Sequence, residues 1–155
     1  MKLLILMGLL LSSMFSSPLV WKHNLEDAKE LAKKEKKPII LFIHSRNCYY
    51  CPIMIEKIFP DKKLQNYLNE NFIALSMDGS TDSDSIESDI TDQAPERFKT
   101  SITPAFFFFG PNEEKLSRKG KKHMKIFGFW KADELIEWSK DAKRRFKNLY
   151  GDKYK

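Results

Sequence analysis

Ile39-Ile40-Leu41-Phe42-Ile43-His44-Ser45-Arg46-Asn47-Cys48-Tyr49-Tyr50-Cys51-Pro52 holds the only two cysteines of the chain, two residues apart. Its first five residues are β-branched, aliphatic or aromatic with no polar alternation, the pattern of a buried strand. A short polar turn follows, and Cys48-Tyr49-Tyr50-Cys51 then opens a helix. A sulfur at a helix start faces unpaired backbone N–H groups and the positive end of the dipole, and both favour the thiolate, which is the nucleophile. Cys51, one turn later, is placed to attack a mixed disulfide formed at Cys48. Cys48 is therefore expected to engage a substrate and Cys51 to resolve it. Two other readings stay open at this point: a local structural disulfide, or half of a zinc site completed from His23, His44 or His123.

The chain has 155 residues, of which 42% are hydrophobic and 13% aromatic, enough for one domain with its own core. Two cysteines cannot staple a secreted protein of this size, so their close spacing points to chemistry. The net charge of +6 favours acidic partners or anionic surfaces. No basic–aromatic binding motif accompanies it, and nucleic acid is not expected as a partner.

Residues 1–17 read as a secretory signal peptide: Lys2, an apolar core from Leu3 to Leu11, then Ser12, Ser13, Ser16 and Ser17. Met14 and Phe15 make the cleavage site imperfect, and an uncleaved anchor or a buried N-terminal helix is the alternative. Export to the periplasm is the expectation, with residues 18–150 as the domain and 151–155 as a polar tail.

Along the mature chain, 21–37 is expected to be a helix with Asn24 as N-cap and lysines at its C-terminal end, stopped by Pro38. Ile53, Met54, Ile58 and Phe59 continue an apolar helical face, interrupted at Pro60-Asp61. Leu64, Tyr67 and Leu68 mark a second short helix, and 72–77 the next strand, so that strand, helix and strand form a right-handed crossover with a parallel pair. No lysine or arginine occurs between Leu64 and Glu96, and the acidic run 78–92 reads as a solvated loop. Asp82 and Asp84 leave a calcium site as the sharper alternative, though the EF-hand spacing fails. One or two helical turns are expected over 94–100. Ala105 to Phe109 is a strand apolar on both faces, and 124–130 is its hairpin partner. A closing helix over 131–149 turns Leu135, Trp138, Ala142 and Phe146 inward.

This order of elements, with Cys-x-x-Cys after the first core strand and Thr103-Pro104 before a later one, resembles the thioredoxin superfamily. Within it, the run from Cys51 to Asp61 and the segment Tyr67 to Phe72 look most like exported thioredoxin-related proteins. Those are similar to the C-terminal domain of the transmembrane thiol-reductant conductor. The resemblance implies an α/β thioredoxin-like fold, a central mixed sheet flanked by helices with an N-terminal helix. It implies a monomeric thiol–disulfide oxidoreductase acting on protein disulfides, with no cofactor beyond the cysteine pair and with that membrane conductor as electron donor. It also implies a cis Pro104 lying against the cysteines, leaving Thr103 as a backbone edge for extended substrate. A proline that merely starts a strand in trans is the alternative. Tyr49 and Tyr50 are the remaining candidate substrate contacts. Members of the superfamily usually carry a buried aspartate six residues before the first cysteine, where this chain has Phe42.

Magnitudes bear on the direction of electron flow without fixing it. A strong oxidant needs its thiolate favoured by roughly 7 kcal/mol over a free thiol. A helix N-terminus supplies about 0.3–1 kcal/mol, up to about 2 in a favourable site. Tyr49-Tyr50 brings no charge, and only Arg46 and His44 lie near in sequence. A reductase or isomerase-like enzyme is expected. The alternative from another class is a peptide-binding module or holdase chaperone using the aromatic surface of Tyr49, Tyr50 and Phe59.

Overall fold

The computed structural model describes residues 17–80, 92–114, 116 and 124–151. Residues 1–16, which hold most of the stretch read as a signal peptide, Asp82 and Asp84, residues 117–122, His123 and residues 152–155 lie outside the described residues.

A five-stranded mixed sheet in the order β1-β3-β2-β4-β5 forms the centre. β1 is Trp21–Lys22, β2 Ile39–His44, β3 Ile73–Asp78, β4 Ala105–Phe109 and β5 Met124–Phe127. β2 and β3 run parallel, with Ile39 opposite Ile73 and His44 opposite Asp78. β4 runs antiparallel to both β2 and β5. Helices α1 (Leu25–Glu35), α2 (Tyr50–Ile53), α3 (Lys62–Asn71) and α4 (Ala132–Tyr150) complete the domain.

Side-chain alternation along the strands splits the core into two layers. Ile39, Leu41, Ile43, Leu75 and Phe107 pack with Leu25, Ala28 and Ala32 of α1 on one face. Ile40, Phe42, Ala74, Phe106 and Phe108 face the other way, against α3, α4 and both cysteines. β2 is apolar from Ile39 to Ile43 because those residues are buried on both sides of the sheet.

Several elements differ from the sequence expectation. Trp21 and Lys22 are not helical: they pair in parallel with Ala74 and Leu75, and Trp21 packs on Phe42 and Phe59 at 5.9 and 4.9 Å. The helix begins only where the Asn24 side chain accepts from the N–H groups of Glu26 and Asp27. The helix after the cysteines widens over Met54–Ile58 into a π turn, in which the Phe59 N–H donates to Met54 O at 2.8 Å. Residues 94–100 provide a single 3₁₀ turn, Glu96–Phe98. β5 stops at Phe127 because Gly128 takes φ 90°, a left-handed conformation that suits glycine, and turns its N–H to Pro104 O at 2.8 Å. Trp138 is 38% exposed and does not join the core; Ile136 and Ser139 are buried beside Leu135, Ala142 and Phe146 instead. The Trp138 ring meets the edge of Trp130 at 5.7 Å on the flank of α4.

Candidate active site

β2 delivers the chain to the surface end of the sheet, where a tight turn reverses it into α2. The Cys48 N–H donates to Ser45 O at 3.2 Å, closing that turn. Cys48 and Cys51 form a disulfide with Cα atoms 5.4 Å apart. The Cys51 N–H donates to Cys48 Sγ at 3.1 Å. In the dithiol form the same donor would stabilise negative charge on Cys48, which is the electrostatic preference a nucleophilic thiol needs. Pro52 fits here because its missing N–H falls in the first helical turn, where no intrahelical partner exists. Both cysteines are shielded, at 6% and 3% exposure, so a substrate must approach over the surface around them.

That surface is aromatic on one side. Tyr49 is 78% and Tyr50 48% exposed, and their rings meet edge to face at 5.1 Å. Tyr50 also lies 5.8 Å from the ring of Phe129, which the turn at Gly128 brings to this end of the sheet. Phe129 escaped the sequence reading because its contact with Tyr50 depends on where β5 ends. Phe59 belongs to a different environment: it is buried against Trp21, Phe42 and Phe106, and lends no exposed aromatic surface.

Thr103 and Pro104 come to the same end. Ser45 and Thr103 share a hydroxyl–hydroxyl hydrogen bond of 2.7 Å, which ties the turn before Cys48 to the segment before β4. The Thr103–Pro104 peptide is cis, Pro104 is buried, and the following Ala105 pairs with Ile43. Ile102, one residue before Thr103, is 53% exposed.

Beneath the disulfide the environment is apolar. Phe42 is 1% exposed and belongs to the same core cluster as Cys48 and Cys51. Its ring lies 5.0 Å from Phe59, 5.3 Å from Phe106 and 5.7 Å from His44. Glu56 is exposed on the π turn, so it does not replace a buried acid. The titratable group on β2 is His44, which is half-buried. Burial pushes its pKa below the usual histidine value; the repulsion of His23 adds to this, while Asp78 and Asp92 oppose it. Burial acts on Asp78 in the opposite sense. The hydroxyl and N–H of Ser80, the charge of His44 and the Gln93 amide outweigh it and hold the carboxyl below its ordinary range.

Among the described residues no group of three or more His, Cys, Asp and Glu side chains stands together as a metal site. Both sulfurs are committed to each other, which leaves no thiolate for zinc in this state. Among the described residues, no helix is long and apolar enough to cross a membrane.

A family model for the thioredoxin-like domain matches residues 25–143. The chain belongs to the thioredoxin-like domain family. The thioredoxin of Thermus thermophilus superposes with a TM-score of 0.58 over 80% of this chain and 86% of its own, at 18% identity. Among curated relatives, spermatogenesis-associated protein 20 of Rattus norvegicus is 36% identical over 62 residues, 40% of this chain and 8% of that protein. The thiol:disulfide interchange protein DsbD of Campylobacter jejuni is 29% identical over 119 residues, 74% of this chain and 18% of that protein. The thioredoxin-like frame and the Cys48–Cys51 pair together support thiol–disulfide oxidoreductase chemistry.

Proposed function

We propose that this protein is an exported thiol–disulfide oxidoreductase that reduces or isomerises protein disulfides. The observation that carries the reading is the Cys51 N–H on Cys48 Sγ at 3.1 Å, at the start of a helix and at the edge of an exposed surface. The Cys48 thiolate attacks one sulfur of a substrate disulfide, forms a mixed disulfide and releases the other sulfur as a thiolate. Cys51, deprotonated, then attacks Cys48 Sγ, closes the Cys48–Cys51 disulfide and releases the second substrate thiol. Two electrons pass to the substrate, and an external dithiol must return them. A membrane thiol-reductant conductor is the donor class we assign. An isomerase cycle differs only in that the released substrate thiolate returns to the mixed disulfide before Cys51 does.

The rest of the surface supports a peptide substrate. Thr103 offers backbone to an extended chain beside the disulfide, and Tyr49 and Tyr50 offer aromatic faces to its side chains. Charge supports the reducing direction: the dipeptide between the cysteines is neutral, and the thiolate gains one N–H donor and the helix start. The stretch Lys2 to Ser17 supports export, and the protein acts as a monomer in the periplasm.

Exposure of Tyr49, Tyr50 and Phe129 favours one second reading, a peptide-binding module or holdase with little turnover. Insulin reduction with dithiothreitol as donor separates the two. The oxidoreductase accelerates turbidity and Cys48→Ser abolishes the effect. Equal behaviour of wild type and Cys48→Ser, with both suppressing aggregation of an unfolded client, identifies the holdase.

A further inference from the structure

Next to the turn that leads into Cys48, the end of β3 and the segment before Pro104 join that turn to enclose an open cleft of about 370 Å³. Its wall includes Ser45, Arg46, Ser80, Lys99, Ser101 and Thr103. Four of these six side chains are hydroxyls and two are cations, and among the described residues no carboxylate lines it.

The cleft is held open by specific contacts. The Ser45–Thr103 hydrogen bond of 2.7 Å closes the end nearest the cysteines. The Arg46 N–H donates to Ser80 Oγ at 3.1 Å, and Ser80 in turn donates from its N–H and hydroxyl to Asp78 at 2.8 and 2.6 Å. Gly79 permits this approach, since a Cβ there would stand 2.5 Å from Cγ2 of Ile43. Asp78 is thereby engaged by Ser80 and, through its other oxygen, by Gln93 at 3.4 Å, and it does not line the cleft.

The two cations are available to a ligand. The Arg46 side chain makes no ion pair among the described residues. Among the described residues Lys99 is paired with Glu96 alone, at 2.8 Å, and the Glu96 side chain is 86% exposed; such a solvated pair is readily exchanged. A guanidinium presents parallel N–H donors that match a carboxylate. Ser80 gives its hydroxyl hydrogen to Asp78, so the neutral donors left to a ligand are Ser101 and whichever of Ser45 and Thr103 accepts in their shared bond.

We propose that this cleft is a carboxylate-binding subsite, which selects protein substrates bearing Asp or Glu close to the cysteine under attack. This rests on the oxidoreductase reading and adds a specificity to it. A substrate strand lying along Thr103 carries its disulfide to Cys48 and its neighbouring acidic side chain to Arg46 and Lys99. The net positive charge of the chain acts in the same direction at long range, so the test must separate the local effect from the global one.

The measurement is reduction of two fluorogenic disulfide peptides that differ only in Glu or Lys beside each cysteine, followed at low ionic strength. The expected result is about a tenfold higher kcat/KM for the acidic peptide, carried by KM and shrinking at high salt. Arg46→Gln with Lys99→Gln brings the ratio close to one. Lys33→Gln, which removes a cation from the exposed end of α1, leaves it unchanged. Equal kcat/KM for the two peptides in the wild type overturns the proposal. So does a preference that Lys33→Gln reduces as much as a cleft substitution. If neither peptide is reduced, the oxidoreductase reading fails on its own. Fluorescence anisotropy of the same peptides then still decides the cleft, by tighter binding of the acidic one to wild type than to the double variant, or by its absence.

Discussion

Replacement of Phe42 by aspartate tests what the apolar floor of the site does to proton transfer. When Cys51 attacks the mixed disulfide it must lose a proton, and the position from which a buried carboxylate would take it is occupied by Phe42. That ring is 1% exposed and wedged between Phe59 at 5.0 Å and Phe106 at 5.3 Å. A thiol in such surroundings has a raised pKa, so resolution in the wild type should be slow near neutrality and accelerate as pH rises. Phe42→Asp removes buried aromatic area worth about 3–5 kcal/mol. It also buries a carboxyl group without a partner, at a further cost of about 1–3 kcal/mol. Against a typical stability of about 5–15 kcal/mol the variant is weakened severely, and it should be studied cold. Phe42→Ala is the necessary control, because it opens the same space with no proton acceptor. A positioned base contributes about 10²–10⁴-fold, and a displaced one less, so the Asp variant should resolve at least about tenfold faster than the Ala variant at pH 7. The assay is stopped-flow release of a chromophoric thiol from a mixed disulfide at Cys48, with near-ultraviolet circular dichroism to certify folding. Equal rates in two folded variants refute the reasoning, as does a wild-type resolution rate independent of pH.

Reaction of the reduced protein with a limiting thiol reagent should place the label on Cys48, whose sulfur receives the Cys51 N–H, and peptide mapping that finds Cys51 alone labelled reverses the assigned roles. His44 contributes a pH dependence of defined sign. Its folded pKa is lowered by burial, so the unfolded chain binds its proton first, and stability is full above the ordinary value of 6.5 and falls as pH drops from there to the lowered folded value. Denaturant titrations of wild type and His44→Phe should diverge in that window; parallel curves contradict it. Glu113 receives two hydrogen bonds of 2.6 Å from Arg97 and one of 3.3 Å from Lys29. The Arg97 hydrogen bonds come first among the causes that hold its carboxyl below the ordinary 4.5, against burial, so its contribution is present above that pH and lost as pH falls through the folded value. Glu113→Gln should cost about 1 kcal/mol at neutral pH and little in acid. Ser139 is fully buried in α4 with no hydrogen-bond partner for its hydroxyl among the described residues. Ser139→Ala should raise stability by about 1 kcal/mol in urea unfolding, and a loss of that size shows that the hydroxyl is satisfied.

Short-range chemistry was legible in the chain. The unbroken apolar run Ile39 to Ile43 declared a strand covered on both faces, because each polar residue placed there would lack a partner. Asn24 announced its helix by the one side chain able to accept from Glu26 and Asp27. The two cysteines stood at the end of that strand and the start of a helix, which is a relation among residues adjacent in sequence. That relation nominated Cys48 and Cys51 as the candidate pair, and the fold class followed once it was joined to Thr103-Pro104 and the order of elements in the resemblance to the thioredoxin superfamily.

What the tertiary structure decided lies at larger separations. Trp21 looks helical by its neighbours, yet it becomes a strand because the edge of β3 offers backbone partners and the Phe42–Phe59 pair offers a ring. Trp138 follows the helical spacing roughly and still misses the core, since the direction of α4 over the sheet sets which positions face inward. Thr103 meets Ser45 across 58 residues, and Phe129 meets Tyr50 only because β5 ends at Phe127 and the chain turns at Gly128. The cleft beside the disulfide is assembled from three segments far apart in sequence. Local propensity acts over a turn or two of chain. Contacts of this second kind exist only after the strands have taken their register, and that register is chosen by burial summed over the whole sheet.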